Sequence, residues 1–309
     1  MQRARRFLVT IESYAYLEGP LAAALDVELA PVERKRFPDG ERYLRLAEDV
    51  RCADVILLGG TPTDLDCLEL YDLGFAISRA GARSLSIVIP YFGYATMERA
   101  VLPGEVVTAK TRARLISAIP SCEGGTRVLL FDLHTDGIEF YFGDSHVTQH
   151  LYGAPIITSL VQRAMGDRPY VLGATDAGRA KWVQSLAKEL EVEPAFVYKR
   201  RDSKSGALSV TGVNADVRGR EVVMYDDMIR TGSSLLQAGR AYLEAGATAV
   251  HAVASHLVLP GQSLEKLRDS KVLSSIHGTN SHPGSQRIDA ATGSIGSIVE
   301  LFASALARF

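Results

Sequence analysis

The stretch VVMYDDMIRTGSSL, residues 222–235, decides the fold: an apolar run ends in two carboxylates, and a Thr-Gly-Ser-Ser turn then opens a helix. Such a turn favours an anion, because the first N–H groups of a helix have no partner within it and carry partial positive charge. Asp226 and Asp227 would repel that anion. A phosphorylated sugar satisfies both features, since its phosphate accepts from the turn while its hydroxyls donate to the carboxylates. The alternative is a capped helix beside two solvated acids.

On both sides of this stretch, short apolar runs alternate with segments of helical spacing. Strands are predicted for 7–12, 54–60, 85–92, 127–134, 170–175, 195–199, 221–227 and 247–259. Helices are predicted for 65–81, 109–119, 177–190, 233–245 and 297–309. This alternation predicts α/β domains, each with a mostly parallel sheet flanked by helices.

The loop-like segment 143–155 divides the chain into two predicted domains, 1–148 and 149–309. The last helix is expected either to stay with the second domain or to pack on the first. Between 270 and 293 the periodicity fails, so a strand and long loops are predicted there. At 309 residues, two domains of ordinary size are expected.

Composition excludes several classes of function. The formal net charge is -2, from 34 Lys+Arg against 36 Asp+Glu, so no overall positive field indicates a nucleic-acid partner. The three cysteines, Cys52, Cys67 and Cys122, lack C-x-x-C spacing, which favours reduced thiols over disulfides or a zinc site. The apolar run FLVTI near the first residue is too short for a signal sequence, so none is expected there, and no apolar run is long enough to span a membrane. We therefore expect a cytoplasmic protein without membrane or nucleic-acid partners.

Six short motifs give the chain a resemblance to one family. They are RFPDGERYLR (36–45), VIPYFGYATMERA (88–100), GEVVTAK (104–110), FDLHT (131–135), YKRRD (198–202) and YDDMIRTGSS (225–234). In this order they resemble the ribose-phosphate diphosphokinases, also called phosphoribosyl pyrophosphate synthetases. The resemblance implies two type I phosphoribosyltransferase-like domains and transfer of a β,γ-diphosphoryl group from ATP, or another nucleoside triphosphate, to the C1 hydroxyl of ribose 5-phosphate.

The resemblance also assigns the sugar and the catalytic cations. Ribose hydroxyls are expected at Asp226 and Asp227. The 5-phosphate is expected on the turn formed by Thr231, Gly232, Ser233 and Ser234. Lys199 and Arg201 are the expected catalytic pair, on a loop whose cations would stabilise charge on the transferred group.

Nucleotide and metal residues follow from the same resemblance. Phe37 offers a ring to stack on a base, and Asp39 and Glu41 offer acceptors to its amine. In the family these positions hold adenine across a subunit interface, which implies a homo-oligomer with shared active sites. Locally, however, the motif is also typical of an exposed Pro-Gly turn. His134 and Asp176 are the expected ligands of Mg²⁺ on the triphosphate.

One position departs from the widespread form of the family, which has an Arg-Gln pair where this chain has Thr96 and Met97. Neither residue can replace a bidentate guanidinium, although Arg99 remains nearby. Residues 96–144 instead resemble a second, plant-like class that accepts several nucleoside triphosphates and needs no phosphate as activator. We therefore expect relaxed donor selectivity.

Two alternatives remain at this stage. A phosphoribosyltransferase would use the same YDDMIRTGSS loop to bind phosphoribosyl pyrophosphate, but would not need the N-terminal motifs. A non-catalytic partner of a true synthetase would explain the loss of the Arg-Gln pair, while the retained cationic run and aspartates argue against it.

Overall fold

The computed structural model describes residues 4–175, 179–201 and 208–307, and the chain divides into two compact units. The first comprises Met1–Tyr152 and Ile298–Phe309, and the second comprises Gly153–Ser297. The division thus follows Tyr152 rather than residue 148, and the C-terminal helix belongs to the first unit. Within the described residues, no helix is both long and apolar enough to cross a membrane.

The first unit is built on a six-stranded sheet in the order β2-β1-β5-β6-β7-β8, in which all neighbours are parallel. Its strands are β1 (Arg6–Thr10), β2 (Glu28–Leu29), β5 (Asp54–Leu58), β6 (Ser84–Ile89), β7 (Thr126–Phe131) and β8 (Val147–Leu151). Its helices are α1 (Ala15–Leu25), α2 (Asp64–Arg79), α3 (Thr108–Ser117) and α8 (Val299–Ala307). The central strands are almost wholly buried, as expected for a parallel sheet with helices on both faces.

Strand β8 corrects the sequence-based prediction, which treated 143–155 as a loop. Its residues pair in parallel with β7, from Arg127 opposite Val147 to Phe131 opposite Leu151. The strand lies at the sheet edge, and most of its side chains are at least partly exposed. Its sequence is consequently polar and carries no hydrophobic signal.

An antiparallel hairpin, β3 (Val32–Arg36) and β4 (Arg42–Leu46), is attached to this unit. The buried carboxylate of Glu69 on α2 accepts from Arg34 Nε at 2.9 Å and from the backbone N–H of Glu12 at 3.1 Å. It also lies 3.5 Å from Arg42 Nη1. A single acid on α2 thus holds both strands of the hairpin.

The second unit has a seven-stranded sheet in the order β11-β10-β9-β12-β13-β14-β15, parallel except between β10 and β11. Its strands are β9 (Tyr170–Ala174), β10 (Pro194–Arg201), β11 (Leu208–Val213), β12 (Glu221–Ile229), β13 (Ala249–Leu257), β14 (Ser275–Thr279) and β15 (Ile295–Gly296). Its helices are α4 (Ala154–Met165), α5 (Ala180–Glu189), α6 (Ser233–Glu244) and α7 (Ser263–Asp269).

The core of the second unit lies on both faces of its sheet. Along β12, Met224 belongs to the apolar cluster that includes residues of α6, whereas its neighbour Tyr225 belongs to the cluster that includes residues of α4 and α5. Successive strand residues point to opposite faces, so this single strand contributes to both clusters. Strand β9 pairs with β12 only as far as Tyr225, whereas β13 pairs with it as far as Ile229. Asp226 and Asp227 therefore lie just beyond the end of β9.

Candidate active site

The turn after β12 forms an uncapped helix N-terminus. Gly232 is the N-cap of α6 and has a φ of 75°, and no side chain caps the helix there. A Cβ at this position would also collide with the side chain of Leu267. Only glycine therefore fits the turn without strain. The first N–H groups of α6 remain available to a ligand, as in other helix N-termini that bind phosphate.

The hydroxyls of this turn are accessible. Thr231, Ser233 and Ser234 are all exposed, and the Thr231 and Ser233 hydroxyl oxygens lie 3.4 Å apart. Donors from the backbone and from side chains thus occur together at one helix end. This arrangement suits an oxyanion such as a phosphate, which accepts several hydrogen bonds at once.

The two aspartates lie in the last part of β12, which continues to Ile229, two residues beyond the predicted strand, and Asp226 is next to Thr175. Asp226 Oδ2 accepts from Thr175 Oγ1 at 2.9 Å, and Asp226 Oδ1 accepts from the N–H of Asp227 at 2.9 Å. Thr175 follows β9, whose Ala174 pairs with Tyr225. Parallel strands bring their carboxyl ends to one edge of the sheet, which is where ligands bind in such folds.

Arg179 contacts both carboxylates. Its Nη2 lies 2.6 Å from Asp227 Oδ1, and its Nε lies 3.9 Å from Asp226 Oδ1. Burial and the neighbouring carboxylate of Asp227 raise the pKa of Asp226 to about 7, while Thr175 and Arg179 oppose the rise. The sequence analysis missed both Arg179 and Thr175. The signal that could have found them is their position just after β9, the strand predicted for 170–175.

Lys199 and Arg201 occupy a different setting from the one predicted. They were expected on a loop after a strand ending at 199, but β10 continues to Arg201 and pairs with β11. In that ribbon Lys199 lies opposite Val210 and Arg201 opposite Leu208, after a register shift at Tyr198. Pairing with β11 supplies the backbone hydrogen bonds that extend the strand. The side chains of this pair, like residues 202–207, fall outside the described part of the chain.

The predicted metal ligands are one residue in each unit. His134 follows β7 in the first unit, whereas Asp176 lies outside the described residues. Among the described residues, no three His, Cys, Asp or Glu side chains are grouped closely enough to hold a metal ion. Mg²⁺ is usually held by one or two protein side chains together with waters and substrate phosphates. One or two protein ligands would therefore be enough to hold an Mg²⁺ ion that enters the site bound to a nucleotide.

A second histidine supports the backbone before His134. The N–H of Leu133 donates to His150 Nε2 at 2.9 Å, and His150 Nδ1 faces Asp136 Oδ1 at 3.5 Å. The His150 ring also packs against Tyr152, with ring centroids 4.2 Å apart. His150 belongs to β8, the edge strand that the sequence analysis did not predict.

The predicted nucleotide residues form an exposed turn between β3 and β4. Phe37 donates its N–H to the carbonyl of Glu41 at 2.9 Å, and Asp39 accepts from the N–H of Glu41 at 3.1 Å. Phe37 is 47% exposed, so its ring is accessible to a ligand. This turn therefore presents an aromatic ring and two carboxylates on the surface of the first unit.

The remaining predicted residue, Arg99, lies beyond the short 3-10 helix Ala95–Met97. Its side chain is 79% exposed and its Nε lies 3.5 Å from Glu98 Oε1. Thr96 and Met97 are exposed as well. An accessible guanidinium is thus available next to the position where the widespread form of the family has its Arg-Gln pair.

Comparison with known proteins gives matches along most of the chain. Residues 7–119 match the family model described as the N-terminal domain of ribose phosphate pyrophosphokinase, and residues 154–284 match the phosphoribosyl transferase domain. A ribose-phosphate pyrophosphokinase of Synechococcus elongatus is 33% identical over 273 residues, which cover 88% of this chain and 80% of that protein. That of Caldanaerobacter subterraneus is 33% identical over 305 residues, covering 97% and 93%.

A solved structure shares the whole architecture. The crystal structure of phosphoribosylpyrophosphate synthetase from Mycobacterium smegmatis has a TM-score of 0.85 and 26% sequence identity to this chain, and the match covers 98% of each. The expected two-domain α/β fold is therefore confirmed.

Proposed function

The chain belongs to the ribose-phosphate pyrophosphokinase family, and we propose that it transfers the β,γ-diphosphoryl group of ATP to the C1 hydroxyl of ribose 5-phosphate, giving phosphoribosyl pyrophosphate and AMP. The observation that carries this proposal in the structure is the aspartate pair beside the uncapped N-terminus of α6. The match of residues 7–119 favours a synthetase over a phosphoribosyltransferase, which would not need that domain.

We assign the sugar phosphate to the second unit. The 5-phosphate accepts from the first N–H groups of α6 and from the hydroxyls of Thr231, Ser233 and Ser234. The ribose hydroxyls donate to the carboxylates of Asp226 and Asp227 on β12. Binding at both ends orients the sugar and fixes the position of C1, which lowers the entropic cost of bringing the two substrates together.

We assign the stabilisation of the transferred group to Lys199 and Arg201. Phosphoryl transfer depends mainly on positioning and on neutralising charge, and little covalent chemistry is left to the protein. Two cations near the β- and γ-phosphates would serve this purpose, and their place on an antiparallel ribbon would hold their backbones in register. Charge on the triphosphate would be reduced further by Mg²⁺, for which His134 and Asp176 are the proposed ligands.

We assign nucleotide binding to four residues of the first unit, which are Phe37, Asp39, Glu41 and Arg99. The exposure of the Phe37 ring and of the Arg99 guanidinium supports this assignment, since both are accessible to a ligand. Following the family, the Phe37 turn would complete the site of a neighbouring subunit, so we propose an obligate homo-oligomer.

The experiment that tests the function is a product assay. The purified chain is incubated with ribose 5-phosphate, ATP and Mg²⁺, and AMP and phosphoribosyl pyrophosphate are quantified together. We expect equal amounts of both. Release of ADP or inorganic phosphate in place of AMP would contradict the proposal. An absence of turnover at every protein concentration tested would contradict it as well.

A further inference from the structure

The two carboxylates in the last part of β12, Asp226 and Asp227, have unequal surroundings. The Asp227 side chain is 7% exposed and its Oδ1 lies 2.6 Å from Arg179 Nη2. The Asp226 side chain is 23% exposed, and its nearest contact with Arg179 is 3.9 Å. Asp226 is therefore the more accessible acceptor, whereas Asp227 is engaged by Arg179.

Binding of ribose 5-phosphate brings no positive charge to the aspartate pair, and its phosphate adds negative charge nearby. A pair of ribose hydroxyls donates hydrogen bonds to carboxylates but brings no positive charge. Two partly buried carboxylates side by side repel each other, and one takes up a proton unless a cation is close. A protonated acid is a poorer acceptor, so the site needs its cation while the sugar is bound.

Arg179 can supply this charge. Its side chain is 18% exposed and contacts both acids, and it immediately precedes α5. Asp226 is also faced by Asp227 and by the hydroxyl of Thr175. The guanidinium of arginine carries several N–H donors in one plane, so it can contact two carboxylates at once. The compact ammonium of lysine does this less well.

We propose that Arg179 is a positioning residue of the sugar-phosphate site, which stays paired with Asp227 in the complex and leaves Asp226 ionised to accept from the ribose hydroxyls. This role rests on the proposed function and refines it, because the family resemblance gives both aspartates the same task and gives Arg179 none. The reaction itself is unchanged by this proposal.

The test is calorimetric titration of the full chain with ribose 5-phosphate at about pH 6, about pH 7 and about pH 9. Arg179→Gln should weaken binding about tenfold near neutral pH, and the loss should shrink at high pH, where the acids ionise without help. Arg179→Lys should recover part of the affinity. Arg240→Gln, which removes an exposed arginine of α6, is the matched control and should bind like the wild type.

A double variant separates positioning from a purely structural role. Arg179→Gln with Asp227→Asn removes the cation together with the acid that it balances, so it should bind better than Arg179→Gln alone. Unchanged or tighter binding in Arg179→Gln would overturn the proposal. A loss of binding that is equal at every pH and is not relieved in the double variant would also overturn it.

Binding of ribose 5-phosphate by the wild-type chain distinguishes a failure of the proposed function from a failure of the role given to Arg179. If the wild-type chain shows no binding of ribose 5-phosphate, the proposed function fails. If the wild type binds and the Arg179 variants do not differ from it, only the role of Arg179 fails. Thermal unfolding of each variant, followed by circular dichroism, shows whether it is folded at the temperature of the titration.

Discussion

Trp182 stacks flat on Tyr225, with ring centroids 3.9 Å apart and an angle of 7° between the planes. Trp182 is the single tryptophan of the chain, and it lies on α5 shortly after Arg179. Tyr225 directly precedes Asp226. The ring pair is therefore one residue from Asp226 along β12, and three residues from Arg179 along the chain.

This stacking predicts a direct optical signal of binding. Ribose 5-phosphate should change the tryptophan emission saturably, because the proposed ligand contact, Asp226, directly follows the tyrosine on which the indole stacks. A fluorescence titration measures it, with Trp182→Phe as the silent control. An unchanged spectrum under conditions where calorimetry detects binding would contradict the prediction.

Gly232 should not tolerate a side chain. Gly232→Ala would place an L residue at a φ of 75° and push a Cβ into Leu267. We expect a loss of roughly 1–3 kcal/mol in the free energy of unfolding and much weaker binding of ribose 5-phosphate. Urea denaturation and calorimetry measure the two effects.

Gly219 provides the matched control for that substitution. It has a φ of 73°, but nothing lies within 4 Å of the position of its Cβ. Gly219→Ala should therefore show the backbone strain alone, and its affinity for the sugar phosphate should be unchanged. Equal losses of stability in the two variants would show that the collision with Leu267 contributes nothing.

Glu69 should control the hairpin that carries Phe37. Glu69→Gln removes the buried charge that pairs with the partly exposed Arg34 and Arg42, and breaking such an arrangement costs more than breaking a surface pair. We expect a higher KM for ATP and a loss of roughly 1–3 kcal/mol in stability. Glu33→Gln is the control, since Glu33 on the same hairpin pairs with the exposed Lys35 and Arg45.

If Glu69→Gln raised the KM for ribose 5-phosphate but not for ATP, the nucleotide role of the hairpin would be wrong. Steady-state kinetics with each substrate varied in turn distinguishes the two outcomes.

The raised pKa of Asp226 predicts opposite effects of pH on binding and stability. Its ionised form accepts from the sugar, so affinity should rise as the pH increases through about 7. The folded chain holds this proton up to about pH 7, whereas the unfolded chain loses it near the usual value of 3.8. The contribution of Asp226 to stability should therefore fall as the pH rises between these values.

Asp226→Asn tests both effects in one variant. Above neutral pH it should be more stable than the wild type, because it removes a buried charge, and it should bind ribose 5-phosphate poorly. Asp144→Asn, on an exposed loop, is the control for loss of a carboxylate. Lower stability of Asp226→Asn at high pH would contradict the assigned pKa shift.

Sequence predicted the features that depend on local pattern. The apolar runs of β5 and β6 indicate buried parallel strands, and the order of residues around Asp226 indicates a strand, a turn and a helix. Strand β8 was not predicted because an edge strand with mostly polar side chains shows no hydrophobic periodicity. The length of β10 was underestimated because its last residues depend on pairing with β11.

The contacts of Arg179 required the fold itself. Its partner Asp227 lies on β12, whereas Arg179 lies at the start of α5, and the pairing of β9 with β12 brings the two segments together. An arginine in a loop is usually a solvated charge, so its sequence context gives no reason to place it beside a buried acid. The same is true of Glu69, whose partners Arg34 and Arg42 come from a hairpin.

The last prediction concerns the nucleotide donor. Thr96 and Met97 stand exposed where the widespread form of the family has an Arg-Gln pair, and Arg99 beside them is 79% exposed. A single accessible guanidinium contacts phosphates that all nucleoside triphosphates share, so we expect ATP, GTP and CTP to be used at comparable rates without added phosphate. Initial rates of nucleoside monophosphate release measure this. Thr96→Arg combined with Met97→Gln should lower the KM for ATP severalfold, and Arg99→Gln should raise it. Strict use of ATP with an absolute need for phosphate in the wild type would show that the exposed Thr96–Met97 pair does not set donor choice.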